Sequence, residues 1–229
     1  MIHFFTGKPG NGKSLHMAQI IYDSVKKGKN VIANFEVNED YFKNCRHPEK
    51  LGVFIYESNY YWLNSAYKKG ANTVRSYSYI DGLYNFAFMY HERNKKGQFI
   101  EGQTLLVLDE CQELFNNRQW NRADRLLWAS FFRQHRKLGF DVYLISQDDK
   151  VIDKQIRSIL QFEYEHRALK HYKAFGRLLS FLAGGNLFVV IKRDYSIKGK
   201  DAKTSSKFFK GRKKFYDFYD SYAMFTGGS

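Results

Sequence analysis

Proline is scarce, with two residues in 229, while Phe and Tyr are abundant. That balance argues against a disordered chain. Cysteine is equally sparse. Cys45 and Cys111 lie far apart and fit neither a disulfide framework nor a zinc pattern, so reduced thiols of a cytoplasmic protein are the default. No apolar run is long enough to cross a membrane. The most apolar window, residues 178–191, is interrupted by Gly184-Gly185-Asn186 and falls short of the roughly 20 residues a span requires. The N-terminus shows no signal-peptide pattern, and the expectation is a chain that is soluble on its own. Internal repeats and low-complexity blocks are also missing.

What is present is positive charge and enough length for one sizeable α/β domain with additions. The formal net charge of +14 points to a polyanionic partner: nucleic acid, an acidic protein face or the inner face of a membrane. A solubilising surface would give the same count.

The first informative stretch is Gly7-Lys8-Pro9-Gly10-Asn11-Gly12-Lys13-Ser14, which fits the phosphate-binding pattern G-x-x-x-x-G-K-[ST]. An apolar run, Ile2-His3-Phe4-Phe5, precedes it, and a helix-like pattern begins at Ser14-Leu15. Strand, glycine loop and helix are the context that distinguishes this motif from a Gly-rich turn. Glycines let the backbone bend and approach a polyphosphate, with the loop amides turned inward as an anion nest. Lys13 is expected to reach the β- and γ-phosphates. The Ser14 hydroxyl is expected to bind Mg²⁺, which keeps water and phosphate oxygens as its other ligands. Candidate nucleotide-binding residues are therefore Gly7, Lys8, Pro9, Gly10, Asn11, Gly12, Lys13, Ser14 and Leu15.

The second is Thr104-Leu105-Leu106-Val107-Leu108-Asp109-Glu110. A continuous aliphatic run reads as a strand buried on both faces of a parallel sheet. Carboxylates at its C-terminal end would face the ligand crevice of an open α/β sheet. As a Walker B element, Asp109 would hold Mg²⁺ and Glu110 would deprotonate the attacking water. The strand expected over 140–147 ends in Gln147, a candidate γ-phosphate sensor if it lies beside the Asp-Glu strand.

Between these stretches the periodicity predicts a helix over 14–27 closed by Gly28, strands over 30–35 and 53–56, an irregular segment over 38–50, a helix over 60–68, a loop over 70–78 and a helix over 79–94. A long helix is expected over 119–137, with Trp120, Ala123, Leu127, Ser130 or Phe131, and Leu138 on its apolar face. A short helix over 151–159 and strands over 161–169 and 186–195 follow, the strands as an antiparallel pair. Residues 192–214 are basic with interleaved Phe208 and Phe209, and Phe215 follows. They read as a solvated tail or docking surface, or as a track for a phosphate backbone. The resulting division is an ATPase domain over 1–195 and a basic, aromatic C-terminal extension over 196–229.

Taken with the run Arg133-Gln134-His135-Arg136-Lys137-Leu138-Gly139-Phe140-Asp141-Val142, with Ser146-Gln147-Asp148 and with Tyr219-Asp220-Ser221-Tyr222, the chain resembles the zonular occludens toxin (Zot) family, which includes the assembly ATPases of filamentous bacteriophages. The resemblance implies a P-loop NTPase of the additional-strand class, related to FtsK and HerA pumps, with a mostly parallel central sheet and a C-terminal antiparallel addition. It implies ATP and Mg²⁺ as cofactors and a homo-oligomeric ring, a hexamer by family resemblance. Phage single-stranded DNA or coat and assembly proteins would be the partners, at an inner-membrane export complex. Members usually carry a transmembrane helix after this domain. The expectation is thus the cytoplasmic part alone, or a divergent member, at the cytoplasmic face of the host inner membrane. Arg136 and Arg157, with Arg133 behind them, are the candidates for an arginine acting on the neighbouring subunit's site.

Three functions compete at this stage. The leading one is an ATPase motor for phage assembly and extrusion. An ATP-gated oligomeric interaction module and a small-molecule kinase are the others. The Asp-Glu pair and the lack of a lid segment weigh against the kinase.

Overall fold

Every residue of the strand Thr104–Leu108 is buried, and the rest of the molecule is layered about it. The computed structural model describes residues 1–43, 47–58, 79–118, 124–172, 186–197 and 199–219. The helix expected over 60–68, the loop over 70–78, the start of the helix at 119–123, the apolar segment 178–182, Cys45 and residues 220–229 lie outside them.

Among the described residues eight strands form one sheet: β1 (Ile2–Thr6), β2 (Asn30–Ala33), β3 (Phe54–Tyr56), β4 (Thr104–Leu108), β5 (Phe140–Ile145), β6 (Phe162–Ala168), β7 (Leu187–Asp194) and β8 (Lys203–Lys210). Their order is β3-β2-β4-β5-β1-β6-β7-β8. The first six positions in that order pair in parallel, and β6-β7-β8 closes the sheet with two antiparallel pairs. Parallel neighbours need crossover connections, which coat both faces of the sheet with helices.

The alternation of side chains along each strand separates two cores. Phe5, Val31, Ala33, Leu105 and Val107 pack with Met17, Ile21 and Val25 of α1 (Lys13–Lys26). Ile2, Phe4, Ile32, Leu106 and Leu108 face the other way. There they meet Leu83 and Ala87 of α3 (Tyr79–Tyr90) and Trp128, Phe131 and Phe132 of α4 (Arg125–Gln134). The segment expected to be irregular over 38–50 contains the short helix α2 (Asp40–Lys43) and a turn at Pro48–Lys50.

Three expectations need correction. Of the expected apolar face Phe131 and Leu138 are buried, but Leu127 is 49% exposed, and the buried face of α4 is set by Trp128, Ala129, Phe131 and Phe132. Residues 128, 129, 131 and 132 form their own helical stripe, and three aromatic rings bury more area than the frame built on Leu127. The helix over 151–159 shortens to α5 (Lys154–Arg157), capped by Asp153, whose carboxylate accepts the Gln155 amide at 2.7 Å. The basic stretch is no loose tail over its described part. It supplies β8 and α6 (Lys213–Phe218), whose Phe215 and Phe218 pack against Tyr22 of α1. Phe209 stacks on Phe188 and on His16, so these three aromatics among the lysines pack inward.

Candidate phosphate-binding and metal site

The parallel strands end on one side, and there the loop after β1 turns into α1. Gly12 stands at the helix N-cap with φ +84° and no side chain caps the first turn, which also holds no acid. Its amides are thus left for an outside acceptor, and the helix dipole favours an anion there. Gly7, at φ +135°, passes so close to β6 that a Cβ would sit 2.4 Å from the His166 carbonyl oxygen. Asn11 fixes the loop from its other side, donating through Nδ2 to the same carbonyl at 2.9 Å.

Lys13 folds back over this loop. Its ammonium donates to the Gly7 carbonyl at 2.7 Å and to that of Lys8 at 3.4 Å. Burial lowers its pKa, and the Asp109 and Glu110 carboxylates oppose that. The Ser14 hydroxyl donates to Asp109 Oδ2 at 2.9 Å. Asp109 is 5% exposed. Burial first, then the Glu110 charge, push its carboxyl up to about 6, against the Ser14 hydroxyl, the Glu110 amide and Lys13. A hydroxyl and a buried carboxylate at this separation are hard oxygen donors that fit Mg²⁺. Among the described residues no group of three His, Cys, Asp or Glu could cage an ion.

Glu110 follows at φ +46°, the one non-glycine residue with positive φ among those described. Strain of this kind persists only where the surroundings hold it, and the Gln112 side-chain amide engages its carboxylate. Gln147, past the end of β5, is exposed and lies between two clefts. The smaller, about 520 Å³, is lined by Lys13, Ser14, Glu110 and Gln147 and also by Phe188, Tyr216 and Tyr219. The larger, about 880 Å³, takes in Lys8, Asp148, Asp149 and Glu165. Each of the nine loop residues expected to bind nucleotide lines one cleft or the other.

The two arginines expected to act across subunits line neither cleft. Arg136 is held by Glu101 at 3.0 and 3.1 Å, beside the N-terminal ends of β4 and β5 and so at the far end of the sheet from the loop. Arg157 reaches back toward the Asp149 carbonyl at 3.5 Å, and Asp149 belongs to the wall of the larger cleft.

A sequence profile described as "Zonular occludens toxin (Zot)" matches residues 1–224. The chain belongs to the Zot family. Among its relatives, the gene 1 protein of Enterobacteria phage M13 is 30% identical over 159 residues, covering 69% of this chain and 39% of that protein. The gene 1 protein of Enterobacteria phage I2-2 is 30% identical over 190 residues, 81% of this chain and 46% of the relative. The chain thus spans less than half the length of these relatives. In structure it is similar to the N-terminal domain of zonular occludens toxin from Neisseria meningitidis, with a TM-score of 0.53, 17% identity and coverage of 96% and 98% of the two chains. It also resembles a second solved structure, an ATPase domain, with a TM-score of 0.50, 10% identity and coverage of 95% and 83%. The fold is that of the P-loop NTPases.

Two supports of this Zot-family site were not legible in sequence. Asn34, fully buried at the end of β2, clamps the backbone of Asp109: its Nδ2 donates to the Asp109 carbonyl at 2.8 Å and its Oδ1 accepts the Asp109 amide at 2.6 Å. Gln112 holds Glu110. A polar residue near the end of a predicted strand was the available signal for Asn34, and it looks like any turn. Among the described residues no helix is long and apolar enough to cross a membrane.

Proposed function

We propose that the chain binds ATP with Mg²⁺ and hydrolyses it, and that hydrolysis drives assembly and extrusion of a filamentous phage. The observation that carries this is the 2.9 Å bond from Ser14 to Asp109, in a cleft that Lys13, Ser14 and Glu110 share. The loop amides and Lys13 bind the polyphosphate, and Ser14 and Asp109 hold the metal. The ion, when bound, neutralises charge on the phosphoryl oxygens. A Glu110 carboxylate oxygen takes the proton of the attacking water, and Gln147 orients that water. An arginine from the next subunit completes the site. Arg136 and Arg157 are the candidates, and neither lines the clefts of its own chain.

The family resemblance and the phage gene 1 relatives support a role in phage morphogenesis. A homo-oligomeric ring, phage single-stranded DNA or coat and assembly proteins, and an inner-membrane export complex are the partners we infer. The high positive charge suits a polyanion. One contact favours a second reading, an ATP-gated interaction module. Gln112 occupies the carboxylate of the base, which would hold turnover low until a partner releases it.

Phosphate release by the purified chain tests the first reading. Turnover is expected with Mg²⁺, lost with EDTA, and reduced by about 10²-fold or more in Lys13→Ala. Undiminished turnover in Lys13→Ala would remove the loop from catalysis. Assembly supported equally by ATP and a non-hydrolysable analogue, without measurable turnover, would favour the interaction module.

A further inference from the structure

We infer that helix α6 builds the base-binding end of the nucleotide site, with the Tyr216 ring as the surface on which the purine stacks. The inference rests on the phosphate-site reading above and adds to it the groups that recognise the nucleoside.

The cleft that holds Lys13 and Ser14 does not stop at the phosphates. It is also lined by Phe188, Tyr216 and Tyr219 and by the polar Lys170 and Asn186. Its volume of about 520 Å³ lies in the range of small-molecule and cofactor sites. Aromatic rings and a few polar groups sharing one cleft with an anion nest have the chemistry to take a nucleoside joined to a polyphosphate.

The three rings differ in what they have left to offer. Phe188 is wedged against the loop, for a Cβ on Gly12 would come within 2.8 Å of its ring. Its plane is also stacked with Phe209 at 4.9 Å and 15°. Tyr219 meets the Phe35 ring edge to face at 5.1 Å. Tyr216 is 41% exposed, while its neighbours Phe215 and Phe218 take the buried face of α6. Its hydroxyl end lies over Gly211 and Leu15, where a Cβ on Gly211 would be 2.7 Å from Tyr216 Oη and 2.9 Å from Leu15 Cδ2. Leu15 follows Ser14 directly, so the ring borders the first turn of α1. The Gly211 amide donates to the Asn186 carbonyl at 2.8 Å, which ties the start of this segment to the end of β7 that faces the loop.

Titration calorimetry with MgATP and with inorganic tripolyphosphate separates base from phosphate recognition. Loss of a stacking ring costs about 1–3 kcal/mol per base. Tyr216→Ala is therefore expected to weaken MgATP binding by about 5- to 150-fold while leaving tripolyphosphate binding within about twofold. Tyr216→Trp, which keeps a ring, is expected to bind MgATP near the wild-type level. Equal MgATP affinity in Tyr216→Ala and wild type overturns the inference and leaves the phosphate site standing. Parallel loss of both ligands in Tyr216→Ala also overturns it, as damage to the fold or the loop. Wild-type protein that binds neither ligand overturns the inference and the phosphate site together.

Discussion

Ser14 and Asp109, 95 positions apart in sequence, share a hydrogen bond of 2.9 Å. The strand order explains why the two meet. β5 lies between β4, which leads into Asp109, and β1, which leads into the loop. Strands two places apart in a sheet are separated by roughly 10 Å. The loop and the first turn of α1 close that gap above the end of β5, and Gln147 follows β5 at the same place. The crevice is therefore a product of the crossover connections.

Removing the Ser14 hydroxyl takes away one of the two protein donors proposed for the metal. Even an outer-shell partner costs about 10- to 100-fold in metal affinity when lost, and Ser14→Ala is expected to cost at least as much. The Mg²⁺ concentration for half-maximal ATPase activity reads this directly. An unchanged Mg²⁺ dependence would contradict the role given to Ser14.

Asn34 has no contact with nucleotide in this account, yet its loss should be felt. Asn34→Ala leaves a buried amide and a buried carbonyl of Asp109 without partners. The expected destabilisation is about 1–3 kcal/mol in urea unfolding, with kcat falling more than ATP affinity. A variant as stable as wild type would show that the clamp carries no weight.

Gly7 is a position where backbone and space both demand glycine. Gly7→Ala would place a Cβ 2.4 Å from the His166 carbonyl oxygen at φ +135°. A loss of about 2 kcal/mol or more is expected. Gly97, at φ +75° with open space around it, is the control, and Gly97→Ala should cost only about 1 kcal/mol. Thermal unfolding of the two variants tests the order, and the reverse order would contradict it.

Asp141 links acid stability to the N-terminal end of β5, a strand in the interior of the sheet. Burial alone would push its carboxyl up. Hydrogen bonds and charge from Lys29 and the Met1 ammonium, each 2.8 Å away, outweigh that and hold it at about 2, below its ordinary 3.8. A carboxyl depressed on folding stabilises the protein above its unfolded pKa, and that contribution disappears as pH falls through the folded one. The expected contribution is about 2 kcal/mol. The stability gap between wild type and Asp141→Asn should be full above about pH 4 and vanish toward pH 2. A gap that does not change over that window would refute the assignment.

The succession of elements and the loop that opens the chain are readable in sequence because their signals are local. A G-x-x-x-x-G-K-S run and an aliphatic strand ending in Asp109-Glu110 each carry their chemistry within a few residues. What escapes such a reading depends on contacts across the chain. The face of α4 is ambiguous because Leu127 and Trp128 offer competing helical frames, and only the opposing sheet chooses between them. The segment over 203–218 looks like a tail because its lysines dominate the composition, although Phe209, Phe215 and Phe218 pack against the core. Asn34 and Tyr216 gain meaning only when folding brings them beside Asp109 and Leu15.

The most direct measurement is phosphate release at saturating MgATP by wild type and by Glu110→Gln, with ATP binding followed in the same samples. Gln is nearly the shape of Glu and keeps the Gln112 contact feasible, but it cannot accept the proton of water. The expected result is a loss of about 10²- to 10⁴-fold in turnover with ATP still bound. Turnover at the wild-type rate in Glu110→Gln would contradict the central claim that this carboxylate and the loop form one hydrolytic centre.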